Sequence, residues 1–343
     1  MPGRPDIAVV GGGVIGLSVA WRAAQAGMSV QLHEREAELG LGASQAAAGM
    51  LAPVAEADAQ EPELLELGQA GAAAWPGFAA ELAQEAGIDV GYRRCGTLLV
   101  ARDGDEQAWA ERERGLRERL GLGAERLLGS AARALEPGLT PSLRGAVALP
   151  DDHAAEPRAL VRALAEACRR AGVEVQTGSA VEDLAALDAG RVVNARGAWA
   201  GDPVRPVKGQ GILLRDPQGP GLVDRVLRWA VPIPGYLVPR GDGRYYLGAT
   251  AEERGFDAAV TVVAVHDLLR DAAEIIPGIL ELEIEEMVVG FRPGTPDNVP
   301  IVGADPHDER IVWAAGHFRG GVLMAPVTAE RVVALLARDG AAA

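Results

Sequence analysis

The residues able to do chemistry begin near the amino end. Gly11-Gly12-Gly13-Val14-Ile15-Gly16 follows the apolar run Ile7-Ala8-Val9-Val10 and precedes an apolar-periodic segment through Leu17, Ala20, Ala23 and Ala24. Glu34 ends a second strand pattern about 20 residues past the glycines, the spacing at which a carboxylate meets the ribose hydroxyls of a bound dinucleotide. In that reading Gly11 permits the tight turn, Gly13 lets a pyrophosphate approach the backbone, and Gly16 lets helix and strand pack closely. The helix behind them offers unpaired N–H groups and the positive end of its dipole. Far along the chain, Arg292 stands between a strand pattern and Pro293-Gly294. A guanidinium held at such a strand end presents a fork that matches a carboxylate through two parallel hydrogen bonds. Asp151-Asp152-His153 could suggest a metal, but neighbours in one loop rarely converge on one ion. Cys95 and Cys168 form neither a CxxC pair nor a Cys/His spacing, which argues against a zinc site or a disulfide framework.

The elements that must position these groups follow from periodicity. The spacing predicts strand, glycine turn, helix and strand over 7–34, which is the dinucleotide-binding βαβ unit. Small residues crowd 39–51 and let backbone lie against something flat, although an alanine-rich helix start reads equally well. Helices are expected over 61–86, 106–120, 156–171, 267–276 and 326–338. Strands are expected over 96–101, 145–149, 173–175, 191–199, 211–214, 283–292 and 311–316. The runs 236–239 and 245–248 flank Arg240-Gly241-Asp242-Gly243, a hairpin signal. A βαβ start, a β-rich middle and a closing strand–turn–helix imply an α/β chain of two interleaved domains.

The totals narrow the class. A chain of 343 residues buries a large core, and 48% hydrophobic with 24% charged residues is ordinary for a globular enzyme. A net charge of −15 argues against nucleic acid and against anionic membrane as partners. The segment before Ile7 is short and polar, unlike a signal peptide, and no run approaches a membrane-spanning length of about 18 apolar residues. A cytoplasmic location is the default expectation.

Several separated motifs resemble one family. They are the glycine fingerprint, Ala46-Ala47-Ala48-Gly49-Met50-Leu51, Asn194-Ala195-Arg196-Gly197-Ala198-Trp199, Pro206-Val207-Lys208-Gly209-Gln210, Gly235-Tyr236-Leu237-Val238-Pro239-Arg240, Gly290-Phe291-Arg292-Pro293-Gly294-Thr295 and Ala315-Gly316-His317-Phe318-Arg319-Gly320-Gly321. Over essentially its whole length the chain resembles the flavin amine oxidases of the D-amino acid oxidase type, most closely the glycine oxidases of thiamine biosynthesis. The resemblance implies a Rossmann-like FAD-binding domain over 1–55, 145–203 and 297–343, and a second, mostly antiparallel substrate domain over 56–144 and 204–296. It implies non-covalent FAD, since neither cysteine lies in a flavin motif. Gly11, Gly13, Val14, Ile15, Gly16, Glu34, Arg35 and Ser44 would hold the ADP portion, with Val181 near the adenosine and Gly197 alongside. Ala48, Gly49 and Met50 would lie along the isoalloxazine ring. His317, Phe318, Arg319, Gly320, Gly321, Val322 and Leu323 would wrap its pyrimidine end, His317 through backbone contact rather than acid–base work. Arg292 would bind an amino acid carboxylate, Tyr236 would add a second bond, and Arg319 and Met50 would stand close to the substrate.

The implied reaction is oxidative deamination of glycine or a small amine to an oxo acid, ammonia and hydrogen peroxide, with molecular oxygen as acceptor and thiazole formation as the destination. A homo-oligomer is left open. Two departures from the family pattern stand out. Arg196 occupies a position usually small and is expected to point outward, and Pro234 stands where a histidine can line the substrate pocket. The readings that compete are a sarcosine, proline or D-amino acid oxidase or a dehydrogenase of the same fold, and a nicotinamide-dependent reductase on the same βαβ unit.

Overall fold

The computed structural model describes residues 4–230 and 234–340. The positions 1–3, 231–233 and 341–343, which the expected domain ranges include, lie outside the described residues. Two sheets organise the chain. The first has six strands in the order Ile301–Ala304, Ile311–Ala315, Arg191–Asn194, Ile7–Val10, Val30–His33, Glu174–Gln176. All neighbours run parallel except Ile301–Ala304, which is antiparallel at one edge. Ile7–Val10 is buried at every residue, as a central parallel strand covered on both faces must be. The second sheet has eight strands in the order Glu283–Gly294, Arg205–Arg215, Arg244–Gly248, Gly235–Pro239, Val226–Trp229, Thr97–Ala101, Gly145–Leu149, Glu125–Leu128. It is antiparallel apart from the pairing of Val226–Trp229 with Thr97–Ala101. Gly145–Leu149 therefore sits in this second sheet, and the boundary expected at 145 has to move past Leu149. Its sequence, Gly-Ala-Val-Ala-Leu, is apolar throughout and carried no mark of which sheet it would join.

Four helices pack around the first sheet. Val14–Gln25 buries Leu17, Ala20 and Trp21. Pro62–Ala86 buries Leu67, Gly71, Trp75, Phe78 and Leu82, one stripe at helical spacing, and ends where Gly87 takes φ +70°. Pro157–Arg170 covers the same core, starting from a Glu156 side chain that accepts from the Arg158 and Ala159 N–H groups. Trp21, Phe78 and Trp75 meet edge to face at 5.6 and 5.5 Å.

The last helix runs Gly321–Gly340, starting five residues before the expected position because Pro326 is tolerated inside it. Proline removes the N–H that would bond the Val322 carbonyl four residues back. The indole Nε1 of Trp75 supplies the missing donor, reaching Val322 O at 3.2 Å and Leu323 O at 3.0 Å. Gly71 lets the two helices close, since a Cβ there would stand 2.5 Å from Leu323 O. Phe318–Ala337 is long and apolar enough to cross a membrane, contrary to the reading that no run approaches that length. Its apolar face is spent on the helices Val14–Gln25 and Pro62–Ala86, the packing that a core helix makes.

Candidate functional site

One cavity of about 620 Å³ runs between the two sheets. That is within the range of ligand and cofactor pockets. Every expected site residue lines it except Gly16, which lies just beneath.

At one end the strand Ile7–Val10 runs into Gly11, whose φ of +113° and a would-be Cβ only 2.3 Å from Ala195 O exclude any side chain. A Cβ on Gly16 would fall 1.9 Å from Gly11 O, so the helix can approach the strand only with glycine there. The first-turn N–H groups are partly claimed. Glu34 Oε2 accepts from Gly12 N at 2.7 Å, its Oε1 accepts from Glu36 N at 2.9 Å, and Ser44 Oγ accepts from Val14 N at 3.0 Å. Glu34 and Ser44 thus brace the turn itself. Arg35 lies flat over the Trp199 ring, its guanidinium carbon 3.5 Å from the centroid. Arg196 does not point outward as expected. Its guanidinium turns back to Asn194 Oδ1 and to the carbonyls of Val181 and Ala200, at 3.1, 3.3 and 3.1 Å, so it ties the Val181 loop to the turn before Gly197.

The middle is built by residues 45–50, which form a turn and an extended run, not a helix start. Gly49 has φ +78°, and its would-be Cβ would meet Ala155 O at 2.0 Å. Met50–Leu51 pairs antiparallel with His153–Ala154 and fixes the run against the cavity wall. Asp152 in that loop is fully buried and accepts from Val54 N at 2.9 Å and Ala55 N at 3.2 Å. Burial nevertheless pushes its carboxyl up to about 7.

Toward the far end, His317 Nε2 sits 2.9 Å from Thr328 Oγ1, and burial pulls the imidazole down to about 3. It stays neutral over the working range. Phe318 holds a left-handed φ of +44° in the short 3₁₀ turn Phe318–Gly320, and Val322 and Leu323 fall in the first turn of the last helix.

The charged end lies over the second sheet. Arg292 sits in the strand Glu283–Gly294 opposite Val207, and its NH1 donates to Thr250 O at 2.9 Å. Its guanidinium lies across Gly209, where a Cβ would stand 2.6 Å from NH1. Gly211, Gly248 and Gly290 keep the same floor low, beneath Tyr246, Tyr236 and Ala46. Tyr236 stacks on Tyr246 at 6.2 Å. Burial raises the Tyr236 phenol, the neighbouring Arg292 guanidinium opposes part of the shift, and the group remains a hydrogen-bond donor.

Two residues escaped the sequence reading. Glu56 Oε1 pairs with Arg228 NH1 at 2.7 Å and Oε2 with Arg319 Nε at 3.2 Å. Burial alone would raise this carboxyl, but Arg228 and Arg319, with Arg292 beyond, outweigh it and hold the pKa low. Arg228 faces the cavity because it stands directly opposite Tyr236 in the sheet. The only sequence signal was a single arginine inside the apolar run Val226-Leu227-Arg228-Trp229, and for Glu56 a lone acid after Ala52-Pro53-Val54-Ala55. The cavity thus joins a glycine-lined helix N-terminus to a cluster of three guanidiniums and one carboxylate.

Comparison with known proteins fits this layout. The family model described as FAD dependent oxidoreductase, DAO, matches residues 6–335. The chain is 34% identical to the bifunctional protein ThiO/ThiG of Synechocystis sp., over 96% of this chain and 51% of that protein. It therefore spans about half the length of the ThiO/ThiG proteins it matches. It is 32% identical to the glycine oxidase of Geobacillus kaustophilus over 98% of this chain and 94% of that enzyme. The crystal structure of glycine oxidase from Geobacillus kaustophilus superposes with a TM-score of 0.91, covering 98% of this chain and 95% of that one.

Proposed function

This chain belongs to the DAO family of FAD dependent oxidoreductases, and we propose that it oxidises glycine or a similarly small amino acid. FAD fits the residues present. A dinucleotide needs backbone without side chains and free N–H groups at a helix start, and Gly11, Gly13 and Gly16 at the head of Val14–Gln25 supply both. Glu34, Arg35 and Ser44 would hold the adenosine side with Val181 and Gly197 nearby. Residues 48–50 and 317–323 would hold the ring.

When bound, the flavin supplies a two-electron acceptor that takes the substrate's Cα hydride and passes the electrons to oxygen as hydrogen peroxide. The protein's own groups do the positioning. Arg292 receives the carboxylate, and the Tyr236 hydroxyl donates a further bond to it. Glu56 keeps Arg228 and Arg319 engaged, so a monocarboxylate settles on Arg292 and not on a competing cation. Gly209 and Gly290 keep the floor flat and the substrate close. Neutral His317 holds its turn through Thr328 and moves no proton. The imino acid released then takes up water and gives the oxo acid and ammonia, glyoxylate in the case of glycine.

The observation that carries this reading is a forked guanidinium beside a phenol at one end of a cavity whose other end is a dinucleotide turn. Similarity to ThiO/ThiG proteins supports a place in thiazole formation for thiamine. A cytoplasmic setting suits the two free thiols. We divide the chain by its sheets into a flavin unit and a substrate unit, with Gly145–Leu149 in the latter. The test is peroxide production by the yellow holoenzyme with glycine, sarcosine and D-alanine side by side. Glycine is expected to lead, and a holoenzyme that yields no peroxide with any of the three refutes the proposal.

A further inference from the structure

The run 45–49 along the cavity has its carbonyls occupied from outside. Gln45 O accepts from Arg158 Nε at 3.1 Å, Ala46 O from the Tyr246 hydroxyl at 2.8 Å, and Ala47 O from Arg240 NH2 at 3.4 Å. Gly49 O accepts from Ala155 N at 2.9 Å. Arg158 is itself fixed by a two-pronged pair with Glu286 at 2.8 and 3.1 Å. Arg240 also donates to Ala155 O at 3.0 Å, so a single guanidinium binds the run to the loop behind it.

A trans peptide points its C=O and the following N–H in opposite directions. Ala46, Ala47, Ala48 and Gly49 line the cavity, whereas Gln45, Arg158 and Arg240 do not. Pulling the Ala47 carbonyl back onto Arg240 therefore turns the Ala48 N–H toward the cavity. Among the described residues the Ala48 N–H has no internal acceptor, while Ala47 N still has Ser44 O at 3.5 Å. Arg240 is also unusual in charge. Its Nε is buried without a partner, no carboxylate pairs with it among the described residues, and burial pulls the guanidinium down to about 10. A positive charge fixed behind a row of peptide dipoles strengthens the donors on their far side.

We propose that Arg240 is a positioning residue that aims the Ala48 amide at the cofactor ring and favours its reduced form. The assignment rests on the flavin reading above. Reduction adds negative charge to the ring, and a donor backed by a fixed cation binds that charge more tightly than it binds the oxidised ring. Tyr246 holds the Ala46 carbonyl without a charge, but the Ala47 N–H that follows is already turned to Ser44 O.

The test uses wild type, Arg240→Gln and Arg240→Lys holoenzymes, each with FAD dissociation constants for both redox states and the midpoint potential of the bound flavin. In Arg240→Gln the preference for reduced over oxidised flavin should fall about tenfold, or about 30 mV for a two-electron couple. Arg240→Lys keeps the charge and should recover most of that loss. If both variants weaken FAD binding equally in the two redox states and leave the potential unchanged, Arg240 is only a structural brace and the proposal is overturned. Wild type alone gives a second check that needs no variant. Amide exchange in the peptide spanning 45–50 should slow when FAD is added to the apoprotein, and exchange that is the same with and without FAD overturns the proposal. A wild-type protein that fails to take up FAD at all refutes the flavin reading instead, and its colourless spectrum tells the two failures apart.

Discussion

Removing the Arg292 fork gives the sharpest expectation. Charge-assisted hydrogen bonds contribute about 1.5–3 kcal/mol each, so losing a two-pronged contact to a carboxylate costs about 3–6 kcal/mol. At about 1.4 kcal/mol per tenfold, kcat/KM for glycine should fall by about 10²–10⁴ in Arg292→Ala. The neighbouring cations bear on where in that range it lands. Arg228 and Arg319 share the one carboxylate of Glu56, so neither is free to stand in, and the loss should exceed a hundredfold. Arg292→Lys keeps the charge and loses the fork, and it should fall between wild type and alanine. The assay is steady-state peroxide production, with FAD affinity measured by flavin fluorescence in the same preparations. Arg292 reaches the Thr250 carbonyl and the floor of the second sheet, far from the glycine turn, so FAD affinity should hold. An Arg292→Ala holoenzyme whose kcat/KM stays within about threefold of wild type contradicts the carboxylate assignment, because one ordinary hydrogen bond already accounts for more than that.

Three further outcomes are expected. Gly209→Ala places a methyl 2.6–2.8 Å from the Arg292 guanidinium, so the KM for glycine should rise about tenfold or more from the misplaced fork while the flavin spectrum stays that of wild type; an unchanged KM means the floor does not set the guanidinium. Glu56→Gln strips the partner from Arg228 and Arg319, should lower stability by about 1–2 kcal/mol given its partial exposure, and should make acetate a stronger inhibitor; equal inhibition in both proteins would mean that Glu56 does not hold those cations back. Asp152 binds its proton more tightly folded, with a pKa pushed up to about 7 against about 3.9 for an ordinary aspartate. The stabilisation that this proton confers is full below about pH 4 and lost as pH rises through 7, up to about 4 kcal/mol. Urea midpoints at pH 5 and pH 8 should show about 2–3 kcal/mol of that loss in wild type and a flatter profile in Asp152→Asn, whose side-chain oxygen still accepts from Val54 and Ala55.

What was legible in the sequence was whatever a single residue type must do locally. Gly11 and Gly16 announced themselves because their positions admit nothing else, and the 62–86 helix because its apolar stripe repeats at 3.6 residues. Arg292 drew notice as an arginine before Pro-Gly at an expected strand end; the structure carries that strand on through Gly294 and sets Arg292 in the cavity wall. Glu56 and Arg228 were not legible, since their partnership exists only after Val226–Trp229 takes its place beside Gly235–Pro239 and brings a distant loop over it. The same holds for Arg196, whose three acceptors belong to the turn it sits in and to the loop at Val181. Gly145–Leu149 reads as a strand from its sequence, but the choice between two sheets is made by long-range pairing with Thr97–Ala101. The start of the last helix was misjudged because Pro326 usually ends or begins a helix, and only Trp75, many residues earlier, supplies the donor that makes it tolerable inside one.

The strand Ile7–Val10 lies between Val30–His33 and Arg191–Asn194, and Arg191–Asn194 in turn waits for Ile311–Ala315. On a ribosome the glycine turn is therefore made long before the strands that complete its sheet. The strand Ile7–Val10 keeps one unpaired edge until Arg191–Asn194 has been made, and that strand keeps one until Ile311–Ala315 follows. Because the helix Gly321–Gly340 packs on both Val14–Gln25 and Pro62–Ala86, trimming it should be far more damaging to soluble yield than trimming a surface loop of equal length.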